Sequence, residues 1–317
     1  MNRRCFTTAA GAALLTACSG QRRRRIAVIP KATAHLFWVS VQAGALAAGK
    51  KFNVEILWNG PASETDFNRQ IQIIDSMVAQ RVEGICIAAS ERQALIAPVE
   101  RAVAAGIPVT VFDSGLDSQS YMSFVATDNA LAGRLGARRL AEILGGKGQV
   151  AVILHAPGSV STMDREAGFK EAMAKEFPGI RIVAEQYGMS DRAKARAATE
   201  NILAAHSSID GIFTSTEPSA AGALLALKGR GLAGKIKLVT NDSSDALVEE
   251  MRAGTVDAMI AQDPFGMAFQ AVQTIVDKLD GKTPPKRIDL QPRVVTVKDL
   301  DDPEVRQMLH PDIKRYL

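Results

Sequence analysis

Residues 84–114 read GICIAASERQALIAPVERAVAAGIPVTVFDS. The stretch opens on an uncharged apolar run, Gly84–Ala88, as a strand buried on both faces does. It continues through Leu95–Ala105 with the pattern of a helix. Ala105-Gly106-Ile107-Pro108 then stops that helix and leads into a second apolar run, Pro108–Phe112. Strand, helix and strand in this order predict a parallel β-α-β unit, whose crossover is right-handed.

The same alternation extends in both directions. Upstream lie strands Ile26–Ile29 and Val54–Leu57, with helices over Phe37–Lys51 and Phe67–Gln80. Strand Ser123–Ala126 closes the first series. A second series has strands at Gln149–Leu154, Arg181–Glu185, Gly211–Phe213, Lys237–Thr240 and Val256–Ala261. Its helices are Leu131–Leu144, Glu166–Glu176, Arg192–Ala205, Ala220–Lys228 and Phe265–Leu279. The break falls near Thr127-Asp128-Asn129, where capping of the next helix is the expected role. The reading is α/β, with two doubly wound parallel-sheet domains.

Open parallel sheets bind ligands beyond the carboxyl ends of their strands. In the first series those ends carry Lys31, His35, Phe37 and Trp38, then Ser90, then Asp113 and Ser114. In the second they carry Met163 and Arg165, Thr216, Asp242 and Gln262. A strand-end carboxylate accepts hydroxyl hydrogen bonds more strongly than a neutral acceptor does. Asp113 and Asp242 occupy matching ends of the two series. Phe37 and Trp38 offer aromatic faces on which a sugar ring stacks, and one of the pair is expected to pack as core. Lys31 has three candidate partners: Asp113, Asp242 or an acid group on the ligand. The first two would make an internal ion pair, the more frequent arrangement for such a lysine.

Several strings carry a resemblance. They are Phe37-Trp38-Val39-Ser40 with Gly44-Ala45, Ile107-Pro108-Val109 with Phe112-Asp113, and Ala126-Thr127-Asp128-Asn129 with Gly133. Arg165 with Gly168-Phe169, Gly222-Ala223-Leu224 and Ile260-Ala261-Gln262 complete the set. In order and spacing the chain resembles the ribose-type periplasmic solute-binding proteins, and also the ligand-binding part of lactose-repressor-like regulators. The resemblance covers nearly all of residues 26–297. It implies a periplasmic-binding-protein-like fold of type I with a three-segment hinge: residues 26–127 plus 263–290 in one domain, 128–262 plus 291–317 in the other. It implies an interdomain cleft for a monosaccharide, hinge closure on the ligand, delivery to an ABC transporter permease, and a monomer without cofactor.

Sugar contacts carried over by position fall on Phe37, Trp38, Asp113, Asp242 and Gln262. His35 and Lys31 stand where the ribose binders have asparagine and serine. Ser114 and Met163 stand where they have cleft arginines, Thr216 where they have an asparagine, and Arg165 aligns with an arginine close by. The scaffold therefore transfers and ribose specificity does not. A sensory or chemotactic sugar-binding role is the alternative, with a glycoside-acting enzyme behind it, because Asp113 and Asp242 could imitate a glycosidase pair. Asp302-Pro303-Glu304 opens a short helix beyond the resemblance, assigned only packing near the hinge.

Residues 1–17 read as an export signal: Arg3 and Arg4, a short apolar run from Ala9 to Leu15, then small residues before a cysteine. Leu15-Thr16-Ala17-Cys18 resembles the lipobox of bacterial lipoproteins, which implies a lipid on Cys18, a basic tether over residues 18–25, and a periplasmic or extracellular membrane-anchored location. Arg22 to Arg25 would face anionic headgroups. Cys86 is the only cysteine left over, so no intrachain disulfide is available to the processed chain.

The 317-residue chain has a net charge of +4, a pI near 9.0, 47% hydrophobic and 23% charged residues. That balance excludes a disordered, collagen-like or multispan membrane chain. Its basic excess suggests nucleic acid at first. Without Arg3, Arg4 and Arg22 to Arg25, however, +4 becomes −2. The positive charge belongs to export and tethering, and no nucleic-acid partner is expected. Gly229-Arg230-Gly231-Leu232-Ala233-Gly234 matches a dinucleotide fingerprint, but between a helix and a strand, the reverse of the working order. The four histidines share no metal spacing.

Overall fold

The apolar runs form the central strands of two sheets in a computed structural model that describes residues 23–33, 35–310 and 312–317. The first sheet contains β1 (Arg25–Ile29), β2 (Glu55–Trp58), β3 (Gly84–Ile87), β4 (Val109–Phe112) and β5 (Ser123–Thr127). Helices α1 (Leu36–Phe52), α2 (Phe67–Ala79) and α3 (Ile96–Ala104) connect the first four of these strands. The second sheet follows α4 (Asn129–Ile143). It contains β6 (Gly148–Leu154), β7 (Ile180–Tyr187), β8 (Gly211–Thr214), β9 (Lys237–Asn241) and β10 (Ala258–Ala261). Between them run α5 (Val160–Glu176), α6 (Arg192–Ala205), α7 (Glu217–Gly229) and α8 (Asp245–Arg252). Helix α9 (Pro264–Leu279) returns to pack on α1. Strands β11 (Arg287–Leu290) and β12 (Arg293–Val295) and helix α10 (Pro303–Leu309) end the chain.

The strand order is β11-β5-β4-β3-β1-β2 in one sheet and β12-β10-β9-β8-β6-β7 in the other. Both follow the doubly wound order 2-1-3-4-5, extended by one strand at the fifth. All pairings are parallel except β10 with β12. The chain crosses between domains three times: from β5 to α4, from β10 to α9, and from β11 to β12. This is the two-domain, three-segment architecture that the resemblance implied.

Strands β11 and β12 and helix α8 have no counterpart in the sequence reading. β11 alternates charged and apolar residues (RIDL) and is only partly buried, so no uninterrupted apolar run marks it. α8 is eight residues long, too short for a strong period. The N-terminal boundary also moves. Arg25 is the first residue of β1 and its N–H donates to Glu83, while Arg24 pairs with Asp280. Both therefore belong to the folded domain instead of the tether. Helix α5 starts at Val160, earlier than the expected Glu166.

Core sits on both faces of each sheet. Trp38, Val41, Ala45 and Ala48 of α1 meet Met267, Ala271 and Ile275 of α9 in the first domain. Ile73, Ile74 and Val99 from α2 and α3 fill its other face. In the second, Phe169 stacks on Phe213 at 4.1 Å. Cys86 is buried in β3, and burial pushes its thiol pKa far up, so it acts as a small apolar side chain.

The C-terminal segment spans both domains. Leu300, Val305 and Leu309 enter the second-domain core, and the 3-10 turn Ile313–Arg315 contacts α1. The Tyr316 ring lies 5.6 Å from Phe265 at the start of α9. Arg23 lines the same surface groove as Arg315 and Tyr316. No described helix is long and apolar enough to cross a membrane.

Candidate functional site

Each doubly wound sheet has a crevice where the connections diverge, between β1 and β3 and between β6 and β8. The two crevices face each other across the interdomain cleft. Lys31, His35, Phe37, Trp38 and Asp113 line it from the first domain. Arg165, Thr216, Asp242 and Gln262 line it from the second.

Asp113 and Asp242 share an unusual backbone. Their φ angles are 59° and 67°, the left-handed region that few non-glycine residues adopt. Each N–H still bonds to the neighbouring strand, Asp113 to the Val125 carbonyl and Asp242 to that of Ile260. The chain then turns sharply and carries the carboxylate off the strand end. Aspartate tolerates this conformation better than most side chains.

Lys31 is 2% exposed, and its Nζ lies 2.9 Å from Asp113 Oδ2. Nζ also donates to Ser161 Oγ at 2.9 Å and to Ser159 Oγ at 3.1 Å, both from the second domain. The internal ion pair is therefore with Asp113, and the lysine also bridges the cleft. Arg165 is equally buried. It donates to the Ser215 carbonyl and to Asn129 Oδ1, and one of its terminal nitrogens lies 3.9 Å from Asp242. Gln262 Nε2 donates to Asp242 Oδ1 at 2.6 Å. The Glu217 N–H donates to Oδ2 of the same carboxylate at 3.3 Å.

Of the aromatic pair, Trp38 is 2% exposed and Phe37 is half-buried, edge to face at 4.9 Å. The Trp38 N–H donates to Glu64 Oε1 at 2.9 Å. Glu64 also meets His155 Nε2 of the second domain at 3.2 Å. Burial alone raises the Glu64 pKa, but His155, the Lys31 charge and the Trp38 N–H outweigh it and bring it from 4.5 to about 2. Under the second-domain crevice, Glu166 accepts from the His155 N–H and the Ser215 hydroxyl, both at 2.8 Å, and burial pushes its pKa up.

Three expected site residues do not line the cleft. Met163 is two positions before Arg165 on α5, about 200° around the helix, and is 36% exposed. Ser114 is buried and its Oγ accepts the Ser161 N–H, so it ties the domains together. Ser90 is buried and its N–H donates to Gln70 Oε1. Cys18 lies outside the described residues.

Glu64, Glu217, Ser161 and His155 were not selected from the sequence. Ser161 and Glu217 open α5 and α7 just beyond strand ends, beside the selected Arg165 and Thr216, where their residue types could have marked them. Glu64 and His155 matter through each other, across domains, and no local pattern announces that. No cluster of three metal-ligating side chains occurs among the described residues.

Residues 26–283 match the periplasmic binding protein domain family. A D-ribose/D-allose-binding protein of Pseudomonas aeruginosa is 30% identical, over 86% of this chain and 91% of its own. The D-allose-binding periplasmic protein of Escherichia coli is 29% identical, over 83% and 87% respectively. A carbohydrate transporter solute-binding protein from Agrobacterium radiobacter, solved with D-arabinose, superposes with a TM-score of 0.89 at 29% identity. It covers 92% of this chain and all of that one. A solute-binding protein from Agrobacterium vitis, solved with D-fucose, gives 0.87 at 34% identity over 90% of this chain.

Proposed function

This chain belongs to the periplasmic binding protein domain family, and from that membership we propose that it is the extracytoplasmic sugar-binding component of an ABC importer. It is a binding protein and not an enzyme, as are the relatives it matches. The observation that carries the reading is the pair of strained carboxylates, Asp113 and Asp242. They come from matching strand ends of two domains and meet at one cleft. A sugar supplies hydroxyls to both and a C–H face to Phe37. By touching both walls it favours the closed arrangement over the open one.

The lipid on Cys18 and the membrane-held location rest on the Leu15-Thr16-Ala17-Cys18 string and its basic flanks. The same reading makes the protein a monomer in its capture role. Membrane fractionation of the wild type against Cys18→Ser tests the anchor. A soluble wild-type protein would remove it.

A thermal-shift screen over pentoses, hexoses, polyols, sugar acids and amino acids tests the ligand class. At least one sugar or polyol is expected to raise the unfolding temperature in a concentration-dependent way. Stabilisation by amino acids alone would overturn the reading.

A further inference from the structure

The cleft wall holds a carboxylate that the family resemblance does not transfer. The Glu217 side chain is 8% exposed and lines the cleft at the start of α7. Arg192, at the start of α6, holds its Oε1 at 2.8 Å from the outer side. Its backbone N–H is held by Asp242. Its Oε2 is buried and has no hydrogen-bond partner among the described residues. An ionised oxygen left in that state is costly, which marks a place for a donor from outside the chain.

The other lining residues point the same way. Gln262 Oε1 receives no hydrogen bond among the described residues, and Asp113 Oδ2 has only the Lys31 ammonium at 2.9 Å, which leaves lone pairs on that carboxylate for a ligand. Among the fully buried lining atoms, the donor left without a partner is Arg165 Nε. Lys31 has already committed its ammonium to Asp113, Ser159 and Ser161. Arg165 has committed its terminal nitrogens to Ser215 and Asn129. Among the described lining residues, neither the Lys31 ammonium nor the terminal nitrogens of Arg165 are left free to receive an acid group.

We propose that Glu217 is a specificity-determining residue that takes a hydrogen bond from the bound ligand. With Asp113 and Gln262 it makes the cleft select ligands that donate more hydrogen bonds than they accept. That class is neutral polyhydroxy compounds and their amino-substituted forms, with uronic and aldonic acids rejected. Arg192 is its positioning residue, since it fixes one carboxylate oxygen and leaves the other to the ligand. The inference rests on the sugar-binding reading and narrows it.

Calorimetric titration of the mature chain with D-ribose, D-allose, D-arabinose, D-glucosamine and D-galacturonate tests it. Wild-type protein is expected to bind at least one of the first four and not the uronate. Glu217→Ala is expected to weaken that binding roughly 10- to 100-fold. Glu217→Gln, which keeps an acceptor oxygen, should lose less for a neutral sugar than for the amino sugar. Arg192→Ala should weaken binding in the wild type but add little to Glu217→Ala, a non-additivity that general destabilisation would not produce.

Affinity within twofold of wild type in both Glu217 variants, with unchanged circular dichroism, would overturn the role of Glu217. Wild-type binding of galacturonate in preference to the others would overturn the selection rule. Binding of none of the five would instead count against the sugar-binding reading, and this inference would fall with it.

Discussion

Glu64 shows how far a residue's role is set by what folding brings to it. Its carboxylate joins the Trp38 indole of its own domain to His155 of the other. A folded pKa of about 2 against an ordinary 4.5 makes ionised Glu64 stabilising. That contribution is complete above about 4.5 and is lost as pH falls towards 2, on the order of 3 kcal/mol in all. Glu64→Gln should therefore lower the unfolding temperature most near neutral pH, with the gap to wild type closing as pH falls through that window. Thermal unfolding of both proteins across pH reads this directly. A constant gap would show that the ionised form is not what matters. The sequence contained Asp113, Asp242, Lys31 and Arg165 as strand-end residues, and the structure brings all four to one cleft. It did not expose Glu64, which ends no recognisable pattern, or His155, which follows the recognised strand Gln149–Leu154 but gains its role only from Glu64 of the other domain. Met163 fails differently from these two. Two positions apart on a helix, Met163 and Arg165 face opposite ways, so an alignment alone assigned both to the cleft when only Arg165 reaches it.

At the scale of elements, the cleft depends on two helices that approach closely. A Cβ at Gly133 of α4 would lie 1.9 Å from the Arg165 carbonyl, and one at Gly168 of α5 would lie 2.2 Å from the Ala130 carbonyl. The two glycines face each other's backbones and let α4 and α5 touch. Gly133→Ala must push α5 away, and α5 carries Arg165. The expected cost is about 1–3 kcal/mol or more of stability, together with weaker ligand binding. Differential scanning calorimetry and titration on one preparation check both. A loss of stability without a loss of affinity would mean that Arg165 is held independently of this contact. Gly44 performs the same service between α1 and α9, against the Phe265 carbonyl at the hinge. The central strands β3, β4, β6 and β8 were legible because they are uncharged apolar runs that open on or just after glycine or proline. β11, β12 and α8 were not, since partial exposure and short length remove the period by which elements are recognised.

The closed arrangement is supported in part by bonds that no ligand makes. Lys31 reaches Ser159 and Ser161, Ser114 receives the Ser161 N–H, and the Arg92 N–H donates to the Gly158 carbonyl. These bonds break when the domains part. Lys31→Met should bias the protein towards the open form and weaken binding roughly 10- to 100-fold, the worth of charge-assisted bonds lost. Small-angle scattering should show wild-type compaction on saturation with the sugar found by screening, and Lys31→Met should need more of that sugar to reach it. Equal titration curves would place the closing energy elsewhere. The doubly wound class and the break near residue 128 were legible from alternation alone. The three crossings were implied by resemblance, because two of them pass through segments without a marked period. Arg23 shares one groove with Arg315 and Tyr316, so the first and last of the described residues are neighbours. The backbone is thus nearly a ring, cut at that corner. A short linker from Leu317 to Arg23 would close it. New ends could open in the turn at Gly145-Gly146, where a Cβ added to either glycine would meet nothing within 4 Å. Such a circular permutant would read the same structure from a different starting point.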